Sequence, residues 1–257
     1  MRLLFYCIII FTNEGRITMY INDIFVNYIQ YGEGKDVVLL HGWGQNIEMM
    51  DFIGKNLENV RVTILDLPGF GKTDEPKNSM NVDDYADFLH EFCFMLDIDN
   101  PILIGHSFGG RVAIKYASKY DVDKVALFGT PCIRHESKPT FGQKLYKVVK
   151  KTPFGDLLRK HIGSADYNNA TPIMRETLVK VVNEDLLKDA EKISAPTLLF
   201  AGTKDTAVPY EDVEEQAKHM TDAAVITLEG THYAYVENLQ YVSSILNEFI
   251  TPNKIRS

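Results

Sequence analysis

The segment Gly105-His106-Ser107-Phe108-Gly109-Gly110 constrains this chain more than any other stretch. It follows a short apolar run, Pro101-Ile102-Leu103-Ile104, and precedes a helix-like stretch from Arg111 to Tyr120. A strand, a sharp turn carrying a serine between glycines, and then a helix is the arrangement that lifts a serine hydroxyl clear of the backbone. Gly105 and Gly109 leave room where a β-carbon would clash. A serine hydroxyl alone is a poor nucleophile. The turn therefore has chemical meaning only if the chain also supplies a base, an acid and an oxyanion site.

The rest of the chain alternates in the same way. Met19 to Tyr31 alternates like a strand and predicts a hairpin around Asn22-Asp23. Val37 to Leu40 is an apolar strand entering His41-Gly42-Trp43-Gly44, and Val60 to Leu65 is another, ending in Asp66-Leu67-Pro68-Gly69-Phe70-Gly71. Val82 to Leu96 carries apolar residues at helical spacing. Strand 102–105, helix 109–120 and strand 124–128 follow. The alternation breaks over 131–193, which has helical patterns but no convincing strand, and resumes with strand 197–201, helix 210–219, strand 224–228 and helix 235–250. Near-continuous apolar strands separated by helices imply an α/β fold, a mostly parallel central sheet flanked by helices. On this reading 19–130 and 194–257 form the core. The all-helical insertion at 131–193 is a lid over the sheet's carboxyl edge, where ligands of open α/β sheets bind.

With 257 residues the chain can bury a sizeable core. A formal net charge of −8 argues against general nucleic-acid binding. Cys7, Cys93 and Cys132 are widely separated and form no CxxC pair, which fits a reducing, cytoplasmic setting and neither a disulfide scaffold nor a zinc site. Residues 1–18 read as an N-terminal extension. Its apolar run, Leu3 to Phe11, is too short to span a bilayer and lacks a small-residue cleavage site. It reads as an added strand or as the product of a start placed upstream of Met19.

Candidates for the remaining catalytic parts occur in a sensible order. His232, in Glu229-Gly230-Thr231-His232-Tyr233, lies in a loop between the last strand and the C-terminal helix and is the candidate base. His106 adjoins Ser107 and points away from it, and His41 belongs to the oxyanion segment. His90, His135, His161 and His219 fall on helices or in the insertion. Asp205, at the end of a strand in Gly202-Thr203-Lys204-Asp205, is the candidate acid, holding the second imidazole N–H, although an aspartate here also suits a turn. Gly129-Thr130-Pro131-Cys132, the segment directly after Phe128, contains no carboxylate to compete with it. The backbone N–H groups of Trp43 and Phe108 are the candidate oxyanion donors. The glycines flanking Trp43 suggest close approach of backbone to a ligand, and the indole would wall the pocket.

Two other motifs fail. Gly71-Lys72-Thr73 resembles the end of a phosphate-binding loop, but that loop requires glycine where Asp66 stands. Gly105 to Gly110 has Ser107 at the third position of a dinucleotide fingerprint. No HExxH or clustered His/Cys set suggests a metal.

These segments together resemble the α/β-hydrolase-fold serine hydrolases of the small, lid-bearing type, over 19–250. That resemblance implies a Ser107, His232, Asp205 triad acting on a small or medium acyl substrate, with no cofactor. Carbon–carbon bond hydrolases and thioesterases share the apparatus, and some small-molecule receptors share the fold. Ser107 argues against the haloalkane dehalogenases and epoxide hydrolases of this fold, which use aspartate as nucleophile. The His41-Gly42-Trp43-Gly44 segment is similar to that of pimeloyl-carrier-protein methyl esterases. Arg111, directly after the double glycine, resembles a position in a carboxylate-binding menaquinone-pathway synthase and is the candidate for substrate binding beside Trp43 and Phe108. Lys138, Lys144, Lys147, Lys150, Lys151, Arg159 and Lys160 crowd the insertion. They read as a solvated helix face, with attraction of an anionic substrate, carrier protein or membrane surface as the functional alternative.

Overall fold

A computed structural model describes residues 7–11, 17–134 and 170–251. The lysine-rich stretch and most of the expected lid lie outside these residues.

The strands are β1 (Cys7–Phe11), β2 (Ile17–Ile21), β3 (Ile24–Val26), β4 (Tyr28–Gly32), β5 (Lys35–Leu40), β6 (Val60–Leu65), β7 (Ile102–His106), β8 (Lys124–Phe128), β9 (Thr197–Gly202) and β10 (Ala223–Leu228). The helices are α1 (Ile47–Gly54), α2 (Val82–Met95), α3 (Phe108–Ala117), α4 (Pro172–Asn183), α5 (Leu187–Ala190), α6 (Tyr210–His219), α7 (Ala234–Glu237) and α8 (Leu239–Ile250). Seven strands form one sheet in the order β10-β9-β8-β7-β5-β6-β4. Every pair is parallel except β4 with β6. β1, β2 and β3 make a small antiparallel sheet. Its β2–β3 turn is the expected hairpin: Asn22 and Asp23 both take positive φ, as a type I′ turn requires.

Successive residues of a strand face opposite sides, so each central strand feeds two cores. Val38, Leu40 and Leu103 pack with α2 and α3 on one face. Val37, Leu39, Ile102 and Ile104 pack with α1 and α8 on the other. This is why β5 and β7 read as unbroken apolar runs.

Helix α1 carries no strong periodic signal and was not expected from the sequence. It is set by its N-terminus, where the Asn46 side chain accepts from Glu48 N–H and the buried Asp66 carboxylate accepts from Ile47 N–H at 2.8 Å. Asp66 also accepts from Lys72 N–H and from the Asn27 side chain. The residue that spoils the phosphate-loop likeness therefore ties α1, β4 and the loop after β6 together. The expected single helix over 235–250 is broken at Asn238, whose side-chain amide donates to the carbonyls of Glu229 and Ala234.

Helix α4 is the largest described piece of the insertion. Thr171 caps it, with Pro172 at its start. It sits over the loop after β6. Met174 is buried against Gly69, and Thr177 accepts from Met80 N–H.

Candidate active site

Strand β7 ends at His106, and α3 begins at Phe108. Ser107 alone makes the turn, with φ +50° and ψ −109°. That left-handed φ is costly for a residue with a side chain, and a strained turn of this kind aims the side chain out of the strand. It is held from both sides. Ser107 N–H donates to Phe128 O at 2.9 Å, and Arg111 N–H donates to Ser107 O at 3.2 Å. A β-carbon on Gly105 would stand 2.6 Å from the backbone of Gly109, and one on Gly109 would collide with the carbonyl of Leu40. The two glycines let α3 lie directly against β5 and β7.

Asp205 and His232 come from the ends of β9 and β10. His232 Nδ1 donates to Asp205 Oδ2 at 2.8 Å. The other oxygen, Oδ1, accepts from the amides of Ala207 and Val208 at 2.8 and 3.0 Å. Each oxygen thus has its own partner, the imidazole for one and the turn amides for the other. Burial raises the Asp205 pKa, but the His232 N–H and the two amides outweigh it and hold the carboxyl below its usual range. The Asp205 side chain is 1% exposed and the His232 side chain 22%, so the acid is sealed off while the imidazole stays open to reactants. Gly129 closes this corner at φ +47°. A β-carbon there would press on Asp205 Oδ2 and His232 Nδ1 at 3.1 Å.

The structure brings Asp205 and His232 into direct contact and sets them against the Ser107 turn: His106 Nε2 donates to the His232 carbonyl at 3.1 Å. Trp43 packs edge-on against Phe70 and Phe108, with ring centroids 4.8 and 5.3 Å apart. Tyr85 meets Phe108 on its far side. The indole thus joins an aromatic cluster beside the serine, and it does so as part of a core. Gly42 is small for a reason other than ligand approach, since a β-carbon there would stand 2.9 Å from His106 Nδ1 and 3.0 Å from Gln45 Oε1. Gly44 takes φ +71°.

Arg111 is placed differently from the other candidates. Its guanidinium is buried and donates to the carbonyls of Pro131, Val181 and Glu184, the last two at the end of α4. Burial lowers its pKa, against the pull of Glu184 above all. Nε is buried without a partner. These bonds fasten α3 to α4, and they account for the residue through packing. The sequence carried no sign of this, because the carbonyls belong to backbone remote in the chain.

One histidine also proves structural. Buried His41 donates from Nδ1 to Gly42 O at 2.7 Å and accepts from Leu67 N–H at Nε2, which locks the loops after β5 and β6 together. Among the described residues, no group of three or more His, Cys, Asp or Glu could hold a metal ion. No described helix is long and apolar enough to cross a membrane.

A mostly parallel sheet with Ser107, Asp205 and His232 on the loops after β7, β9 and β10 at its carboxyl edge, the serine in a strained strand-to-helix turn, is the arrangement of the α/β hydrolases. The comparisons agree. The family model for the alpha/beta hydrolase fold matches residues 36–169, more than half of the chain, and a model for TAP-like proteins matches 178–255. This chain belongs to the α/β hydrolase family. It is 24% identical to the AB hydrolase superfamily protein YisY of Bacillus subtilis, over 92% of this chain and 96% of that one. It is 28% identical to the pimeloyl-[acyl-carrier protein] methyl ester esterase of Shewanella woodyi, over 69% of this chain and 78% of that one. An esterase structure from Exiguobacterium antarcticum superposes with a TM-score of 0.70 at 22% identity, covering 94% of this chain and 98% of that one.

Proposed function

We propose that this protein is a serine hydrolase that cleaves carboxylic ester-type bonds of small or medium acyl substrates through an acyl-enzyme. The observation that carries the reading is the His232–Asp205 pair, whose loop is bonded through His232 O to the strand that ends at the Ser107 turn, where φ is +50°. Ser107 Oγ attacks the carbonyl carbon, and His232 Nε2 takes the proton. Asp205 keeps Nδ1 protonated and stabilises the imidazolium. The oxyanion is received by the N–H groups of Phe108 and Trp43. Phe108 is the first residue of α3, so its amide has no acceptor within the helix. His232 returns the proton to the leaving group, and water then repeats the sequence on the acyl-enzyme.

Two of the named relatives support the ester reading, one a methyl ester esterase and one an esterase. The aromatic cluster of Trp43, Phe70 and Phe108 favours an apolar acyl portion. Cys93 and Cys132 are free and buried, which is consistent with a reducing compartment.

The test uses p-nitrophenyl esters of graded acyl length, each with and without a terminal carboxylate, and a fluorophosphonate probe. Wild type turns over esters and is labelled. Ser107→Ala keeps its melting temperature and loses both. Turnover retained in Ser107→Ala means another nucleophile. A wild type that neither reacts nor labels is a binding protein.

A further inference from the structure

His106 is the last residue of β7 and shares a face with Ile102 and Ile104, away from Ser107. Its ring is buried between His232, Tyr233 and Tyr235, with centroids 4.9, 5.4 and 4.7 Å away. Burial, with His232 adding to it, pushes its pKa down to about 3, so the imidazole is neutral and carries one N–H. Two oxygens face it: the His232 carbonyl, 3.1 Å from Nε2, and Gln45 Oε1, 3.3 Å from Nδ1. Gln45 Oε1 already accepts from Gly42 N–H at 2.9 Å. The His232 carbonyl is nearer, so the single proton sits on Nε2.

We propose that His106 is a positioning residue, which holds the backbone of the His232 loop against the strand that carries Ser107 while the Gly42–Gln45 segment packs on its other edge. The bond to His232 O spans 126 residues of sequence. Among the described residues it is the one that links the nucleophile's own strand to the base. The other bonds on that loop come from Asp205, Glu237, Asn238, Thr203 and Lys204, all at its own end of the sheet, and from Gln45 Nε2, 3.5 Å from the Tyr233 hydroxyl. None of them reaches the strand that carries Ser107. On the opposite edge, Gly42 lacks the side chain that would strike Nδ1, so the candidate oxyanion segment closes onto the same ring. One imidazole thus ties the nucleophile's strand to the base, with the candidate oxyanion segment packed against its other edge. The inference rests on the hydrolase reading above and adds a residue to it.

His106→Phe keeps a flat ring among Tyr233 and Tyr235 but removes the donor. His106→Gln places an N–H at the same number of bonds from Cβ as Nε2. The expected result with p-nitrophenyl esters is a fall in kcat of about 10- to 100-fold for His106→Phe, with KM little changed, because a reacting group misplaced by about 1 Å costs on that order. His106→Gln recovers most of kcat. Fluorophosphonate labelling of Ser107 slows and recovers in parallel. Should the Phe variant not fold, His106→Leu is read in its place by the labelling rate of its folded fraction. Wild-type kcat in the donorless variant, or no recovery in His106→Gln, overturns the proposal. A wild-type enzyme that neither turns over esters nor labels instead defeats the hydrolase reading.

Discussion

Ser107 and Asp205 show how single positions carry opposing demands. The serine accepts a left-handed backbone so that its hydroxyl stands clear, and two hydrogen bonds and two glycine contacts hold it there. Asp205 divides its oxygens between the imidazole and a turn. Because its folded pKa lies below the unfolded value, it adds stability that is fully present above the unfolded carboxyl pKa of about 3.9. That stability is lost as the pH falls through the lower folded value. Asp205→Asn removes this linkage. The gap in melting temperature between wild type and variant is therefore expected to be widest near neutral pH and to narrow in acid. A gap that stays constant into strong acid contradicts the assignment. The same variant should lose on the order of 10³- to 10⁴-fold in kcat, since the amide favours the wrong imidazole tautomer.

Arg111 is a main tie between helices α3 and α4, beside the Lys115–Glu184 ion pair. In Arg111→Ala the carbonyls of Pro131 and Glu184 lose this donor while Val181 O keeps Glu184 N–H, and each carbonyl left bare costs about 1–3 kcal/mol. We expect a loss of about 2–4 kcal/mol in urea unfolding. Arg111→Lys should recover little of it, because an ammonium does not reproduce the planar fork. If Arg111 acts through packing, its loss lowers turnover of anionic and neutral esters alike. A selective loss on anionic esters would restore it to substrate binding. Sequence periodicity is a good guide to elements that bury one continuous face, such as α2 and α6, whose observed bounds are Val82–Met95 and Tyr210–His219. It is a poor guide to α1 and to the α7–α8 break. Both are decided by partners distant in the chain or by a side chain that competes with the helix, Asp66 for one and Asn238 for the other.

Seven strands with two cores make the centre of the sheet the most protected part of the molecule. β5, β7 and β8 are flanked by strands and covered on both faces, whereas β10 and β4 are edges. In native-state hydrogen exchange, the amides of β5, β7 and β8 should exchange last and those of β10 and β4 first. Uniform protection across the sheet would contradict the two-core arrangement. The Ser107 turn leaves β7 and the candidate oxyanion segment leaves β5, both in this central region. Asp205 and His232 follow β9 and β10, nearer the edge. The tie from His106 to the His232 loop crosses that gradient.

Legible in the chain alone were the parallel sheet, the strained turn at Ser107 and the candidates Asp205 and His232, because each leaves a local trace: unbroken apolar runs, glycines where backbones touch, and a polar residue at a strand's end. The tertiary structure alone decided the rest. It placed the Arg111 guanidinium on three carbonyls between α3 and α4 and gave the Asp66 carboxylate the backbone N–H groups of Ile47 and Lys72. These outcomes depend on backbone N–H and C=O groups, which nearly every residue carries and no sequence pattern marks. Only their approach in space selects which side chain satisfies them.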